Sequence, residues 1–331
     1  MASSVYLLGS GFSRAINECM PTLAGLSDAI RSDLESRGLP PLPGQDSPLA
    51  RDFEQWLSYL IEEPPWLSGG QRLRNRGAFS DVAESLHSVL SALQTRVLGD
   101  RPPAWLLQLV RYWQATGTTV ITFNYDMLVE AVWLTTAADH SWSDLYTVPI
   151  APIASRVGAV LSGEGNPDGM RLMKLHGSLN WRYSGPSSPA GDQVFDVGLR
   201  PWGQGTSTFY EDEETLSADK VPLIVPPAAI KSPYYVNNTI GALWRQAAEA
   251  LRQADELVIM GFSLPPSDQI VSSMLATELN DQAVIVPVDF GKAVVDNLKR
   301  IVDEERIVTD YAGRGNSAVS EWVEARANLA D

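Results

Sequence analysis

Cysteine is nearly absent from this sequence of 331 residues, in which Cys19 is the only one. A disulfide within the chain is therefore excluded, which fits a reducing compartment, and we expect a cytoplasmic protein. A structural zinc site built from thiolates is excluded as well, because such sites take several cysteine or histidine ligands. The sequence contains only three histidines, and we expect no bound metal.

Basic residues and long apolar runs are also scarce. The chain has 25 Lys and Arg against 40 Asp and Glu, a formal net charge of -15. A nucleic-acid surface needs clustered Lys and Arg, and a membrane span needs about 18 or more consecutive apolar residues. Neither feature occurs, and residues 1–14 do not have the pattern of a signal peptide. We therefore expect no nucleic-acid or membrane partner, whereas a local pocket for one dinucleotide stays compatible with this charge.

The sequence does contain a series of short apolar runs. Hydrophobic residues make up 44% of the chain, and most runs lack polar alternation, which is typical of parallel strands covered on both faces. Helical patterns lie between them, so we predict an α/β fold: a Rossmann-like, mainly parallel sheet with helices on both faces. The predicted strands are 5–8, 118–123, 171–175, 221–225, 256–260, 283–288 and 306–309.

Two stretches interrupt this alternation, and we interpret both as insertions in a single domain covering residues 1–331. Residues 22–115 are helical, with a proline-rich break at 40–48, and are predicted to lie between the first two core strands. Residues 136–220 are rich in glycine, serine and proline and contain an acidic run at 211–214. We predict a loop-rich, irregular insertion there.

Almost every predicted strand ends in a cluster of small or polar residues. The carboxyl ends of parallel strands share one edge of a sheet, where ligands of open α/β sheets bind, so we expect these clusters to form one site. The clusters are Gly9-Ser10-Gly11-Phe12-Ser13, Asn124-Tyr125-Asp126, His176-Gly177-Ser178, Gly261-Phe262-Ser263 and Asp289-Phe290.

Several of these residues also have a structural interpretation, and the residues alone leave both open. Gly9 and Gly11 fit a loop that lets backbone N–H groups approach a pyrophosphate, or simply a tight turn between strand and helix. The dehydrogenase pattern G-x-G-x-x-G is absent, because Arg14 takes its last position. Asn124 and Asp126 fit either a binding site or a helix cap.

The histidines differ in their setting. His176 stands between a predicted strand and a glycine at the expected ligand edge, where an imidazole that titrates near neutral pH suits acid–base chemistry. His87 lies on a predicted helix and His140 in a predicted loop, so structural roles are expected for both. Asp268 is expected to cap the predicted helix 268–279.

Four of these segments resemble motifs of the sirtuin-like superfamily, in that family's order. L-L-G-S-G-F-S-R at 7–14, followed by M-P-T at 20–22, resembles its first NAD-binding loop. T-F-N-Y-D at 122–126 resembles its T-Q-N-x-D motif, K-L-H-G-S-L at 174–179 its catalytic His-Gly motif, and M-G-F-S-L at 260–264 its ribose-binding turn. The motifs are most similar to those of the bacterial branch, many of whose members are NAD-hydrolysing effectors of antiphage defence.

The resemblance implies roles for particular residues. Asn124 and His176 would be catalytic, with Asp126 beside the nicotinamide or its ribose. The cofactor-binding residues would be Gly9, Ser10, Gly11, Phe12, Ser13 and Arg14 in the phosphate loop, and Gly261, Ser263 and Asp289 toward the adenosine. Deacylating sirtuins carry four zinc-binding cysteines after the His-Gly motif and a glutamine where Phe123 stands here. Both departures argue against protein deacylation.

The expected function is therefore that of an NAD glycohydrolase, which takes NAD as substrate and releases nicotinamide and ADP-ribose. Two alternatives stay open: a sensor that binds NAD or ADP-ribose without chemistry, and an NAD-dependent protein deacylase. An unrestrained NAD hydrolase would deplete its host, so we expect low basal activity and a homo-oligomer, or restraint by a separate regulatory or trigger protein. Phe53, Trp56 and Trp66 are the apolar residues expected at the oligomer interface.

Overall fold

Strands and helices alternate along the chain in a computed structural model, which describes residues 3–39, 53–62, 64–136, 144–152, 169–185, 188–198, 201–203, 217–227 and 231–327. The strands are β1 (Ser4–Leu8), β2 (Thr119–Thr122), β3 (Ala151–Pro152), β4 (Arg171–Lys174), β5 (Gly177–Tyr183), β6 (Phe195–Asp196), β7 (Val221–Ile224), β8 (Glu256–Met260) and β9 (Val284–Val288). The helices are α1 (Ser10–Ile16), α2 (Leu23–Ser36), α3 (Phe53–Glu62), α4 (Gly69–Gly99), α5 (Ala104–Ala115), α6 (Leu128–Thr136), α7 (Ser232–Tyr235), α8 (Asn238–Arg252), α9 (Gln269–Glu278), α10 (Ala293–Leu298) and α11 (Ala318–Ala327).

The central sheet has five strands in the order β4-β2-β1-β8-β9, and every neighbouring pair is parallel. Its strands are covered on both faces, and in β1 the residues from Val5 to Leu8 expose at most 1% of their surface. Apolar runs form such strands because their side chains pack on both sides of the sheet. The predicted Rossmann-like, mainly parallel α/β fold is confirmed. The predicted strands in this sheet are 5–8, 118–123, 171–175, 256–260 and 283–288.

A second sheet has four strands in the order β3-β6-β5-β7, in which β5 pairs antiparallel with both neighbours. The predicted run 221–225 forms β7 of this sheet, and β5 was not predicted at all. β5 is buried throughout and begins at Gly177, whose φ is 79°. A Cβ atom on Gly177 would lie 2.0 Å from Leu223 O, so only glycine lets the chain turn directly from β4 into β5.

The strand predicted at 306–309 is wrong. Ile307 contributes one isolated bridge to Ile285 and no longer ladder. The guanidinium of Arg306 donates a hydrogen bond to Asn280 O at 2.6 Å. This bond holds the segment at the edge of the sheet without extending it into a strand.

The helices of residues 22–115 divide between two hydrophobic cores. Helices α2, α3 and α4 pack around a cluster that includes Leu57 and Leu86 and extends to Leu179 on β5. Helix α5 instead packs into the core of the central sheet.

None of the described helices is both long and apolar enough to cross a membrane. The division of the chain into one domain with two insertions stays a prediction, and the acidic run at 211–214 lies outside the described residues.

Candidate active site

The loops at the carboxyl ends of the central strands surround one cavity of about 840 Å³. Small-molecule sites commonly measure about 300–1,000 Å³. All five predicted clusters contribute to the lining, because parallel strands deliver the loops that follow them to the same edge of the sheet. The predicted residues that line the cavity are Gly9, Ser10, Gly11, Ser13, Arg14, Asn124, Asp126, His176, Gly261, Ser263 and Asp289.

Phe12 is the predicted site residue that does not reach the cavity. Helix α1 begins at Ser10, so successive side chains turn by about 100° around its axis, and Phe12 falls on the buried face with 1% of its surface exposed. Its ring packs edge-on against Trp105, with 5.8 Å between ring centroids. Phe12 therefore anchors the loop to the core below, which corrects its assignment as a ligand-binding wall.

Three glycines allow the loop after β1 to touch the loop after β8. A Cβ atom on Gly9 would lie 2.7 Å from Gly261 O, and one on Gly11 would lie 2.8 Å from the same oxygen. Gly261 has a φ of 61°, and its own Cβ would lie 2.0 Å from Phe12 N. The interpretation of Gly9 and Gly11 as a tight turn is therefore supported, because the packing of the two loops requires these glycines even without a ligand.

A chain of hydrogen bonds joins the loop after β2 to the loop after β1. Asn124 Nδ2 donates to Gly9 O at 2.8 Å and to Ser13 Oγ at 2.9 Å. Ser13 Oγ in turn donates to Asp126 Oδ2 at 2.6 Å. Asp126 Oδ1 accepts from Leu128 N–H at 3.3 Å, so Asp126 caps α6 in addition to holding Ser13. Both amide hydrogens of Asn124 are used, and within the described part of the chain nothing donates to its Oδ1, so this oxygen can accept from a ligand in the cavity.

A buried ion pair supports the loop of residues 124–126 from below. Lys174 and Glu130 each expose 1% of their side chains, and Nζ lies 2.7 Å from Oε1. Lys174 Nζ also donates to Asp126 O at 2.5 Å. Burial raises the pKa of Glu130, and the Lys174 ammonium opposes that rise. The pair thus fixes the backbone that carries the Asn124 and Asp126 side chains.

His176 follows β4 and lies almost entirely inside the protein, with 5% of its surface exposed. Its ring packs against Phe123, with 4.9 Å between centroids, and against Trp244, with 6.4 Å. Its Nε2 is buried and has no hydrogen-bond partner in the described part of the chain. Burial, and next the positive charge of Lys231, lowers the pKa of His176 well below its usual range. The imidazole is therefore neutral at neutral pH and has a nitrogen available to accept a proton.

Three charged residues of the cavity wall, Glu54, Lys231 and Asp268, were not predicted as site residues. Lys231 and Asp268 are 6% and 9% exposed and form an ion pair. Asp268 does precede helix α9, but its side chain makes no capping hydrogen bond. Asp268 occupies the N-cap position as predicted, and its carbonyl accepts from Ser272 N–H at 3.1 Å, whereas its carboxylate pairs with Lys231 instead of capping the helix. Lys231 could have been singled out in the sequence because it directly follows the apolar run 221–230.

The loops after β8 and β9 form the other end of the site. Asp289 Oδ1 accepts a hydrogen bond from Gly291 N–H at 3.0 Å, and burial raises the pKa of this carboxyl. Phe290 beside it is 68% exposed and also lines the cavity. Ser263 reaches the lining as well, and its carbonyl accepts from Asn297 Nδ2 at 3.0 Å. A carboxyl can accept hydrogen bonds from hydroxyl groups and an exposed aromatic ring can stack on a flat ring, so this end of the site is suited to a nucleoside.

Helix α4 carries His87, as predicted, and His87 does not line the cavity. His87 Nε2 lies 3.1 Å from Leu179 O and 3.1 Å from Arg182 Nη2, and burial lowers its pKa to about 4. His140 lies outside the described residues. Among the residues that are described, no three His, Cys, Asp or Glu side chains are grouped to hold a metal ion. The expected absence of a metal stays a prediction.

Comparison of the chain with known proteins finds similar solved structures but no similar family model or curated sequence. No protein-family model and no curated protein matches the chain. A Sir2 structure in complex with an inhibitor, 2'-O-acetyl-ADP-ribose and a deacetylated p53 peptide is similar at 12% identity and a TM-score of 0.43, over 99% of this chain and 94% of that one. A Sir2 homologue in complex with NAD is similar at 14% identity and a TM-score of 0.43, over 98% and 90%.

Proposed function

We propose that the chain is a sirtuin-like NAD glycohydrolase, which binds NAD in this cavity and hydrolyses its nicotinamide–ribose bond. The observation that carries the proposal is that Asn124 and a neutral, buried His176 line one cavity together with a glycine-rich loop. The order of four motifs along the sequence supports it independently. An assignment as an effector of antiphage defence rests on the motif resemblance alone and is part of the same proposal.

The order of the strands suggests how NAD lies in the site. Along the sheet edge the loops follow β4 (His176), β2 (Asn124), β1 (residues 9–14), β8 (Gly261) and β9 (Asp289). Adjacent strands lie about 4.8 Å apart, so this row spans about 19 Å, enough for an extended dinucleotide. The proposed order is nicotinamide ribose at the first two loops, phosphates at the third and adenosine at the last two.

The proposed chemistry needs few protein groups. The bond between the ribose C1' and the nicotinamide nitrogen breaks, its electron pair stays with that nitrogen, and nicotinamide leaves as a neutral molecule. A water oxygen bonds to C1', which has oxocarbenium character in the transition state, as in glycosidases. The proton of that water passes to His176 Nε2 and then to solvent. Asn124 Oδ1 holds the water or a ribose hydroxyl, and Asp126 orients the nicotinamide or its ribose.

The aromatic side chains around His176 are suited to keep bulk water from the reacting carbon. Phe123 contacts the imidazole and lies 4.8 Å from Phe262 between ring centroids. Trp244 packs against both Phe123 and His176, with 6.4 Å between ring centroids in each case. Excluding bulk water strengthens the electrostatic interactions within a site.

A reaction with and without an acylated lysine peptide separates the proposed activity from the alternatives. We expect nicotinamide and ADP-ribose to form in equal amounts whether or not the peptide is present. A deacylase would require the peptide and would transfer the acyl group to ADP-ribose. NAD that binds and is recovered unchanged at every enzyme concentration would favour a sensor.

We also propose that the protein forms a homo-oligomer whose NAD hydrolysis is restrained. Control of this activity by a separate trigger protein is the alternative. Trp66 and Leu73 expose 77% and 68% of their surface in the helical region. Trp56 is only 7% exposed and Phe53 packs beside it at 6.1 Å between ring centroids. Trp56 therefore fills the local core, which corrects its assignment to the interface, whereas Phe53 is only partly buried and Trp66 is the most exposed of the three.

Replacing the two exposed residues should shift the oligomer toward the monomer. We expect the double variant Trp66→Ser and Leu73→Ser to lower the mass measured by light scattering at working concentration, because removal of apolar contact area weakens association. Val236→Ser is a matched control, since Val236 is 62% exposed on another part of the surface. A wild-type protein that is monomeric at every concentration would rule out the oligomer.

A further inference from the structure

An exposed aromatic ring lies at the proposed adenosine end of the cavity. Phe290 follows β9 and lines the cavity, and 68% of its surface is exposed. The backbone that carries the ring is fixed, because Phe290 O accepts from Gly315 N–H at 3.1 Å and Asp289 O accepts from Gly313 N–H at 3.0 Å. A ring that is held in place and stays exposed is suited to stack on a nucleotide base, since every base has a π face.

The segment of residues 312–316 brings a polar side chain to the same end of the cavity. The segment begins at Ala312, which forms an isolated bridge with Asp289. Gly315 lies beside the aromatic ring, where an added Cβ atom would be 3.9 Å from Phe290 Cε2. The next residue, Asn316, also lines the cavity. Phe290 and Asn316 therefore belong to one small region of the cavity wall.

The side-chain amide of Asn316 has a defined orientation. Its Nδ2 donates to Glu18 Oε1 at 2.9 Å, in the loop that follows α1. A carboxylate only accepts hydrogen bonds, so the amide nitrogen and not the amide oxygen must face Glu18. Glu18 is held in turn, because Arg14 Nη1 donates to its carbonyl oxygen at 3.0 Å. No residue in the described ranges donates to Asn316 Oδ1, so this oxygen can accept from a bound base.

We propose that Phe290 and Asn316 select a 6-aminopurine base: the Phe290 ring stacks on the base, and Asn316 Oδ1 accepts a hydrogen bond from its exocyclic amino group. The inference rests on the proposed function and adds which base the dinucleotide must carry. Adenine presents a donor at C6, whereas guanine and hypoxanthine present an oxygen acceptor there. Two oxygens that face each other have no proton to share, and a site built to hydrogen-bond one group rejects the analogue that lacks it.

Calorimetry with ADP-ribose and with inosine diphosphate ribose measures this selection without turnover. The first ligand carries an amino group at C6 of the base and the second an oxygen. We expect the wild-type protein to bind ADP-ribose about tenfold more tightly, which is the size of effect that one hydrogen bond produces. Asn316→Ala should bind the two ligands about equally, because it removes the acceptor.

The stacking contribution should be independent of the base. We expect Phe290→Ala to weaken the binding of both ligands about tenfold or more and to leave their ratio unchanged, whereas Phe290→Tyr should bind like the wild type. Val284→Ala is the matched control for loss of an exposed apolar side chain. Val284 is 43% exposed at the other end of β9, so this variant should change neither affinity.

Glu18→Gln separates base selection from a structural role of Asn316. A glutamine side chain both donates and accepts, so it allows the Asn316 amide to turn and present Nδ2 to the base. We expect this variant to bind inosine diphosphate ribose more tightly than the wild type does, and the preference for ADP-ribose to fall several-fold. A loss of structure would instead weaken the binding of both ligands.

The pattern of affinities decides between the possible outcomes. Equal affinity of the wild type for the two ligands, or an unchanged preference in Asn316→Ala, would overturn the proposal. A preference for ADP-ribose that depends on Asn316, in a protein that never releases nicotinamide from NAD, would support the base selection and overturn the proposed hydrolysis alone. Binding of neither ligand would overturn both.

Discussion

His176→Ala is expected to reduce nicotinamide release from NAD by about 10²–10⁴-fold, the usual contribution of a positioned acid–base group. The imidazole is neutral and buried, and among the described residues its Nε2 has no hydrogen-bond partner and no other histidine lines the cavity. Asn124→Ala should cause a loss of similar size, because it removes Oδ1 from the cavity and the hydrogen bonds to Gly9 and Ser13.

Binding and stability measurements separate lost chemistry from lost structure. We expect His176→Ala to bind ADP-ribose, measured by calorimetry, with nearly wild-type affinity and to melt near the wild-type temperature. His87→Gln is the matched control, since it alters a partly buried histidine that lies on α4 outside the cavity lining. Wild-type turnover in His176→Ala would show that another group accepts the proton.

Lys174→Met should destabilise the protein by about 3–5 kcal/mol, which is the usual cost of breaking a buried ion pair by removing one partner. The substitution leaves the Glu130 carboxylate buried without its countercharge and removes the donor to Asp126 O. Urea unfolding followed by tryptophan fluorescence measures the change in the free energy of unfolding. Activity should fall as well, because the backbone of residues 124–126 loses its support.

Two further variants test whether the destabilisation expected for Lys174→Met arises from the unpaired buried charge of Glu130. The double variant Lys174→Met and Glu130→Leu should recover much of the lost stability, since replacing a buried pair by apolar side chains is often neutral. Lys299→Met is the matched surface control, because Lys299 pairs with Glu304 in an exposed position, and little change is expected there. A small effect of Lys174→Met alone would contradict the supporting role of the pair.

The sequence was sufficient to predict the central sheet because its strands are continuous apolar runs. The apolar pattern did not predict the elements whose structure depends on contacts with residues far away in the sequence. β5 starts at Gly177 through a contact with Leu223 O that no local pattern reveals. The run at 306–309 has strand-like residues, but only Ile307 pairs with the sheet.

The candidate site, like the fold, could be predicted only in part from the sequence. Clusters at strand ends could be predicted to meet, because parallel topology brings them to one edge. Phe12 could not be separated from its neighbours, since the start of helix α1 at Ser10 decides which side chains face the core. Lys231 was missed because its role depends on the contact with Asp268, 37 residues further along the chain.

The most direct test of the proposed function is chromatography of NAD incubated with an equal concentration of the purified protein. Equal concentrations allow a single turnover to be seen even if the basal activity is low. We expect equal amounts of nicotinamide and ADP-ribose with the wild-type protein and unchanged NAD with His176→Ala. Intact NAD recovered from a wild-type protein that is saturated with it would contradict the proposed function.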